Sequence, residues 1–184
     1  EHRQARLRAE QQSDGQWTKS LVSSASFVQT LPCFGVSRLT CMNLLRRLKI
    51  LQLPADRFLF IGISAPGIRA NEQGHNSEDP SRYGLWSMGA AWQAGHMIHK
   101  AAQLPPVFVT QPDLYAKRGK GSVFSAGDEV IVTLDCYAHT LRLQSPTVDY
   151  TCKLEPQHQQ QEWVLNLNFG RGEHQVQFVR YEDS

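Results

Sequence analysis

One stretch constrains the fold more than any other: residues 124–143, which read FSAGDEVIVTLDCYAHTLRL. In an extended chain Val130, Val132 and Leu134 share one face, opposite a mixed face of Glu129, Ile131, Thr133 and Asp135, and this alternation predicts a strand with one face to bury. A short polar interruption at residues 135–139 is followed by a second alternating run, which places Leu141 and Leu143 on one face. The stretch therefore predicts a β-hairpin with a loop of about four or five residues.

The same residues resemble the C-terminal half of the SPRY domain, a module that also occurs in tripartite-motif ubiquitin ligases. The match is a Gly-Asp turn, an apolar strand that ends in Leu-Asp and a strand that begins with Thr-Leu, at Phe124, Gly127, Asp128, Val130, Leu134, Asp135, Thr140 and Leu141. Two more stretches resemble SPRY strands: Ile-Gly-Ile-Ser at 61–64 and Tyr-Gly-Leu-Trp at 83–86. The resemblance covers most of residues 20–180. It implies an all-β fold, a two-sheet antiparallel β-sandwich of the jelly-roll, SPRY-like kind.

The first residues are interpreted as an extension of this domain. We assign residues 1–15 to a short N-terminal extension and residues 16–184 to the SPRY-like β-sandwich domain. Residues 1–12 are strong helix formers in which Leu7 is the one large apolar side chain, so we expect a helical or disordered segment. The alternative is the end of a coiled coil that enters the domain, as in tripartite-motif proteins. Because the chain begins with Glu1 and no secretory signal follows, we expect it to be a piece of a longer polypeptide.

Residues 36–53 leave the choice between helix and strand open. Their leucines fit a helical stripe, but SPRY domains place a long central strand here, and the resemblance favours a strand. Residues 58–64 are short, apolar and bounded by prolines, which predicts a strand buried on both faces. Residues 66–82 are rich in Gly, Asn, Ser, Asp and Pro, and loops of about 17 residues tend to be functional or mobile.

The remaining segments have weaker patterns. Residues 90–103 are the other place where a helix is expected, residues 107–109 fit an edge strand, and residues 115–121 fit a polar loop. Residues 147–154 fit one further strand. The run from 162 to 169 alternates cleanly and predicts a strand with four large apolar residues on one face, Trp163, Leu165, Leu167 and Phe169.

Composition excludes several classes of partner. The net charge of +2 is too small for the clustered basic face that nucleic-acid binding needs, so no nucleic-acid partner is expected. No apolar run approaches the roughly 20 residues of a membrane span, so no membrane partner is expected. The four cysteines lack zinc-finger spacing, and without a secretory signal we expect them to be reduced in the cytoplasm or nucleus: Cys33, Cys41, Cys136 and Cys152.

We find no pattern that predicts catalysis, a metal or another cofactor. The sequence has no nucleophile elbow, and the glycines at 119 and 121 lack the spacing of a phosphate-binding loop. His96 and His99 would share a helix face but have no adjacent carboxylate, so a metal site is not expected. Asp128 and Asp135 are interpreted as turn residues at the two ends of a strand. We therefore predict that the protein is not an enzyme.

Binding is the function that the resemblance implies. In SPRY domains, loops at one edge of the sandwich form a shallow surface that grips a peptide or protein partner. The residues of this sequence in matching positions are Arg69, Asn71, His75, Arg82, Tyr83 and Trp86. Arg, Tyr and Trp are over-represented in interface hot spots. We expect Arg69 and Arg82 to be exposed to solvent, whereas Tyr83 and Trp86 fit either a partner surface or the core.

The leading hypothesis is a non-catalytic protein-interaction module, an intracellular adaptor within a larger protein or assembly. The alternative hypothesis is a carbohydrate-binding, lectin-like sandwich in which Asn76, Asp79 and Trp86 contact sugar, often with calcium. A glycan array with and without calcium separates the two hypotheses.

We expect all four thiols to be reduced in the native protein, because the cysteine spacing suggests no disulfide framework. Alkylation of the denatured protein without reductant, followed by mass spectrometry, should give four labelled cysteines. A stable disulfide would contradict the intracellular compartment that the sequence suggests.

Overall fold

The structure, a computed structural model, describes residues 6–11, 17–23, 27–32, 44–54, 58–66, 79–119, 121–169 and 174–179. For residues 6–11, 17–23, 27–32 and Leu44 it defines the backbone alone. Within these ranges, no helix has the length and apolar character needed to cross a membrane.

Strands dominate the described ranges. In chain order they are β1 Arg6–Gln11, β2 Trp17–Ser23, β3 Phe27–Pro32, β4 Leu44–Gln52, β5 Leu59–Ser64, β6 Tyr83–Trp86, β7 Ala91–Gln93, β8 His96–His99, β9 Glu129–Asp135, β10 Thr140–Gln144, β11 Asp149–Lys153, β12 Val164–Phe169 and β13 His174–Val179. The helical elements are short: α1 at Pro112–Lys117, and single 3-10 turns at Pro106–Phe108 and Pro156–His158.

The strands form two sheets. One sheet has seven strands in the order β1-β2-β13-β4-β9-β10-β11, and the other has six in the order β3-β12-β5-β6-β7-β8. The pairings within both sheets are antiparallel. The predicted all-β, two-sheet antiparallel β-sandwich is therefore confirmed.

The main core lies between the two sheets. Because successive side chains in a strand point to opposite faces, each sheet contributes every second residue of its strands. The seven-stranded sheet supplies Leu48, Ile50, Val130, Val132, Leu134, Leu141, Leu143, Tyr150, Cys152 and Val176. The six-stranded sheet supplies Leu59, Ile61, Ile63, Tyr83, Leu85, Ala91, Leu165, Leu167 and Phe169.

The β-hairpin predicted within residues 124–143 is present in the structure. Strands β9 and β10 pair with Leu141 opposite Leu134 and Leu143 opposite Val132, and these four side chains are buried. The four-residue turn 136–139 is closed by Asp135, whose Oδ1 accepts hydrogen bonds from the backbone N–H groups of Tyr137 (2.9 Å) and Ala138 (2.7 Å). The interpretation of Asp135 as a turn residue is confirmed.

The turn before β9 is fastened more strongly than its sequence suggests. Gly127 has a φ of +91°, which glycine adopts at little cost, and its N–H donates to the carbonyl of Ile50 (2.7 Å). Asp128 accepts from the N–H of Ser125 (2.9 Å) and also forms a bidentate salt bridge with Arg118, at 2.6 and 2.7 Å. Asp128 thus caps the strand as predicted, and it also holds the end of α1 against the sheet.

Two helix predictions are wrong. Residues 6–11, within the segment predicted to be helical or disordered, form strand β1 paired to β2, because helix propensity is a weak preference that a pairing partner overrides. Residues 90–103 contain the hairpin β7–β8 in place of a helix. Its two-residue turn, Ala94 and Gly95, has φ angles of +50° and +76°, which is the geometry of a tight hairpin turn.

Two further predictions are wrong, one of an edge strand and one of a loop. The edge strand predicted at 107–109 is the 3-10 turn Pro106–Phe108, followed by a single bridge from Val109 to Val148. Residues 115–117, the first part of the predicted polar loop, belong instead to helix α1, which begins with a proline at its first position.

The strand predictions in the core segments are confirmed. Within 36–53, residues 44–52 form β4, so the resemblance chose correctly where periodicity did not. Strand β5 is buried on both faces, as the sequence at 58–64 predicts. Neither Cys136 nor Cys152 is in a disulfide, while Cys33 and Cys41 lie outside the described residues. Burial raises the pKa of the Cys152 thiol to about 12, so this group is protonated and unreactive at neutral pH.

We expect two core leucines, one from each sheet, to contribute strongly to stability. Leu134 and Leu165 are 1% and 3% exposed in the core, so replacing either with Ala should cost about 2–5 kcal/mol through lost burial and a residual cavity. Val107, which is 83% exposed, is the control, and Val107→Ala should change stability by about 0.5 kcal/mol or less. Urea unfolding curves measure all three. Equal effects for the buried and exposed positions would contradict the register of the core strands.

Candidate functional site

The predicted partner-binding residues fall into two groups. Arg69, Asn71 and His75 lie outside the described residues, so their role stays a prediction. The other three are brought together at the start and end of β6: Arg82 immediately precedes the strand, Tyr83 opens it and Trp86 closes it. All three are buried.

Tyr83 points into the core between the sheets. Its ring makes edge-to-face contacts with Trp163 (5.7 Å between centroids) and His158 (5.8 Å). Its hydroxyl oxygen accepts a hydrogen bond from the N–H of Glu155 (3.1 Å) and lies 2.8 Å from Nδ1 of His158. Burial raises the pKa of Tyr83 above its ordinary value. Tyr83 thus anchors β6 to the segment before β12.

Trp86 points the other way, onto the outer face of the six-stranded sheet. There it packs in a second cluster with Phe60 and Ala90, and Met88 and Trp92 lie partly buried against them. The rings of Phe60 and Trp86, which are paired across β5 and β6, meet edge to face at 5.5 Å. We call these five residues, together with Arg82, the outer-face cluster.

A pair of glycines leaves space on the sheet for the Phe60 ring, on which the outer-face cluster packs. Gly62 and Gly84 are directly paired across β5 and β6, and the Phe60 ring lies over them. A Cβ atom at Gly62 would lie 2.0 Å from the Tyr83 carbonyl oxygen and 2.9 Å from the Phe60 ring, and one at Gly84 would lie 2.7 Å from that ring. The two glycines are therefore required for Phe60 to lie flat on the sheet.

Arg82 stacks on the Phe60 ring. Its Cζ lies 3.8 Å from the centroid of the Phe60 ring, 5.2 Å from that of Trp86 and 5.3 Å from that of Trp92. Each distance is within the range of a cation–π contact. The guanidinium is thus held by three aromatic faces that come from three neighbouring strands or their ends.

The guanidinium has no hydrogen-bond acceptor among the described residues. Nε, Nη1 and Nη2 of Arg82 are all buried without a partner, and so is Nε1 of the neighbouring Trp92. Asp79 is close enough to raise the pKa of Arg82, but its Oδ1 accepts from the N–H and the hydroxyl of Ser81 at 2.8 and 2.5 Å. Burial has the larger effect and lowers the pKa of Arg82 to about 9, so the group remains charged at pH 7.

The expected exposure of Arg82 is therefore wrong: its side chain is 0% exposed. The prediction of a solvent-exposed Arg82 was based on the many polar and turn-forming residues in the segment 66–82. The burial arises from ring contacts that depend on three separate strands, which local composition cannot reveal.

The sequence analysis missed four members of the cluster: Phe60, Met88, Ala90 and Trp92. Phe60 belongs to a strand whose double burial was predicted, so its position opposite the core was available from the period of two. Trp92 was assigned to a helix, which hid its place beside Trp86. The signal that was overlooked is the Gly62 and Gly84 pair, because glycine within a strand often marks a close approach of other groups.

Other possible chemistry was considered across the described part of the chain. No group of three or more His, Cys, Asp or Glu side chains there is placed to hold a metal ion. His96 and His99 lie on β8, not on a helix, and β8 is an edge strand with Met97 and Ile98 exposed. Of the residues suggested for sugar binding, Asn76 is outside the described ranges and Trp86 is buried.

Comparison with known proteins gives the fold. No family model matches the sequence, and no curated protein does. The structure is similar to the SPRY domain of human HERC1, with a TM-score of 0.52, 10% identity and coverage of 91% of this chain and 85% of that chain. It is also similar to the TRIM65 PSpry domain, with a TM-score of 0.50, 16% identity and coverage of 88% and 70%.

A lectin-like protein is less similar. Arcelin-5 from Phaseolus vulgaris has a TM-score of 0.47 and 11% identity over 97% of this chain and 92% of that chain. The resemblance to SPRY domains is confirmed at the level of the fold: the chain is a β-sandwich of the SPRY kind.

We expect Arg82 to cost stability rather than supply it. Replacing a buried charge with an apolar side chain of similar length is often stabilising by about 1–4 kcal/mol, against a cation–π loss of about 0.5–2 kcal/mol. Arg82→Met should therefore raise the free energy of unfolding at pH 7. Arg82→Ala, which also removes the packing on Phe60, should be less stable than Arg82→Met by about 2–5 kcal/mol.

The control for this comparison is Arg142→Met, which removes an exposed arginine of β10 that pairs with Asp149. It should change stability by about 1 kcal/mol or less. Chemical unfolding of the four proteins measures the differences. An Arg82→Met protein clearly less stable than wild type would mean that the guanidinium is a stabilising element of the fold.

Proposed function

We propose that the protein is a non-catalytic protein-interaction module. It binds a peptide or protein segment through loops at one edge of the β-sandwich and serves as an adaptor within a larger protein or assembly. We also propose an intracellular location, cytoplasmic or nuclear, which is consistent with the buried Cys152, a thiol that forms no disulfide.

The observation that carries this proposal is the buried guanidinium of Arg82, which has no hydrogen-bond acceptor among the described residues. A charged group without an acceptor costs stability, and such groups persist where function requires them. Arg and Trp are the residue types that dominate interface hot spots, and here they lie in one cluster: Arg82, Trp86 and Trp92. Residues 66–82, which the sequence predicts to be a loop, immediately precede Tyr83 in the chain, and loops on a rigid scaffold commonly carry binding residues.

The other predicted residues complete the proposed surface. Arg69, Asn71 and His75 are proposed to contact the partner from the loop that precedes Arg82. Tyr83 is proposed to support the partner-binding surface indirectly, because its hydroxyl and ring hold β6 against His158 and Glu155. The half-buried Met88 and Trp92 lie at the rim of the outer-face cluster.

Selection from a peptide library tests the proposal. A phage library of random peptides is panned against the folded protein, and synthetic peptides with the enriched sequence are titrated by fluorescence polarisation. We expect an enriched sequence whose affinity falls about ten-fold or more when Arg69, Asn71 and His75 are all replaced by Ala, with melting unchanged. Thr151→Ala, an exposed residue of β11 on the other sheet, is the control and should bind normally.

Two outcomes would count against the proposal. One is a library that yields no enriched peptide, and the other is an enriched peptide that binds the triple variant as well as it binds wild type. Calcium-dependent binding to a glycan array, in the absence of peptide binding, would favour a lectin instead.

A further inference from the structure

The outer-face cluster contains hydrogen-bond donors that pair with no acceptor in the described ranges of the chain. Arg82 presents five N–H donors and the indole of Trp92 presents one, and within the described residues none of these groups has a partner. Buried polar groups are almost always paired in proteins, so two unpaired donor groups in one cluster require an explanation. Both lack the same thing, an oxygen acceptor.

The ring contacts of Arg82 do not use its N–H donors, although the side chain itself is buried. The Phe60 ring lies 3.8 Å from Cζ of Arg82, so it contacts the flat face of the guanidinium and uses none of its N–H groups. The N–H bonds lie in the guanidinium plane, and five donors in a fixed fork match two oxygens of one acceptor group. The indole of Trp92, with its ring centroid 5.3 Å from Cζ, adds its N–H beside the fork.

The charge in the cluster suggests the ligand. One guanidinium carries a single positive charge, and the nearest described carboxylate, Asp79, accepts from Ser81. A carboxylate brings one negative charge and two oxygens, which suits bidentate pairing with one arginine. Phosphate groups carry more charge and are typically bound by clusters of arginines, and the cluster here has one.

We infer that Arg82 and Trp92 form a carboxylate-binding site that reads an aspartate or glutamate side chain of the protein partner. This inference rests on the proposed function and adds the chemistry of the recognised residue. Because Arg82 is fully buried, a carboxylate can reach it only when the groups that cover it move aside, and Met88 and Trp92 are the two members of the cluster that are only partly buried. Pairing with it removes the cost of the uncompensated charge, so the same arginine that destabilises the free protein stabilises the complex.

A small-molecule titration tests the site without any partner. The ¹⁵N-labelled protein is titrated with N-acetyl-glutamate amide while the Arg82 Nε–H and Trp92 Nε1–H resonances are followed by NMR. Spectra of Arg82→Met and Trp92→Phe assign the two resonances. We expect both to shift together and to saturate. N-acetyl-glutamine amide, the neutral isostere, and sodium chloride at equal ionic strength should leave them in place.

A titration in which neither resonance responds, or in which the glutamine compound acts equally, would overturn the inference. Tighter binding of inorganic phosphate than of the glutamate compound would overturn the assignment to a carboxylate. Because this titration uses no partner, its result is independent of whether the peptide library supports the proposed function.

The peptides selected from the library give a second test. Replacing the acidic residue of a selected peptide with its amide should weaken binding to wild type on the order of 30-fold or more. The same replacement should weaken binding to Arg82→Met by about two-fold or less, because the charge it would pair with is gone. Trp92→Phe keeps an aromatic ring but removes the indole N–H, so the loss of affinity caused by the amide replacement should be smaller in this variant than in wild type. Arg142→Met should behave as wild type. A peptide that binds tightly with no dependence on Arg82 would leave the proposed function intact and overturn this inference.

Discussion

The burial of both faces of the central strands of the six-stranded sheet is the constraint on which the rest of the structure depends. Strand β5 sends Leu59, Ile61 and Ile63 into the core between the sheets and places Phe60 on the opposite face. A face that carries large rings needs room near the backbone, and the paired glycines of β5 and β6 provide it. The stack of Arg82 on Phe60 follows from that arrangement, so the site is a consequence of how the sheet packs.

The burial of Arg82 lowers stability but fits the binding role that we propose for it. An arginine without an acceptor, enclosed by three aromatic rings, gains from cation–π contact but loses its hydration. Natural proteins are seldom optimised for stability alone, and strained or uncompensated groups are concentrated where binding or catalysis needs them. Arg118 shows the opposite case, because its guanidinium forms a bidentate pair with Asp128. The contrast between these two arginines is the physical basis for assigning a binding role to Arg82.

Much of the fold could be predicted, because alternation along a strand directly reflects burial. The hairpin β9–β10 was predicted from alternation and the doubly buried β5 from a short apolar run bounded by prolines, whereas β4 needed the SPRY resemblance to decide between helix and strand. The hairpin β7–β8 was missed because its turn uses Ala94 at positive φ, which is not a usual turn signal. The burial of Arg82 was missed for a different reason: residues 60, 86 and 92 meet only through strand pairing.

The stacking of Arg82 on Phe60 is the claim on which the account of the site rests, and proton NMR measures it directly. Ring currents shield protons held above an aromatic face, so the Hδ and Nε–H protons of Arg82 should resonate far upfield of their positions in an unfolded chain. Phe60→Leu, which keeps an apolar side chain on the sheet but removes the ring, should return them toward those positions. Arg82 protons at unshielded positions in the wild-type protein would contradict the stack and, with it, the proposed site.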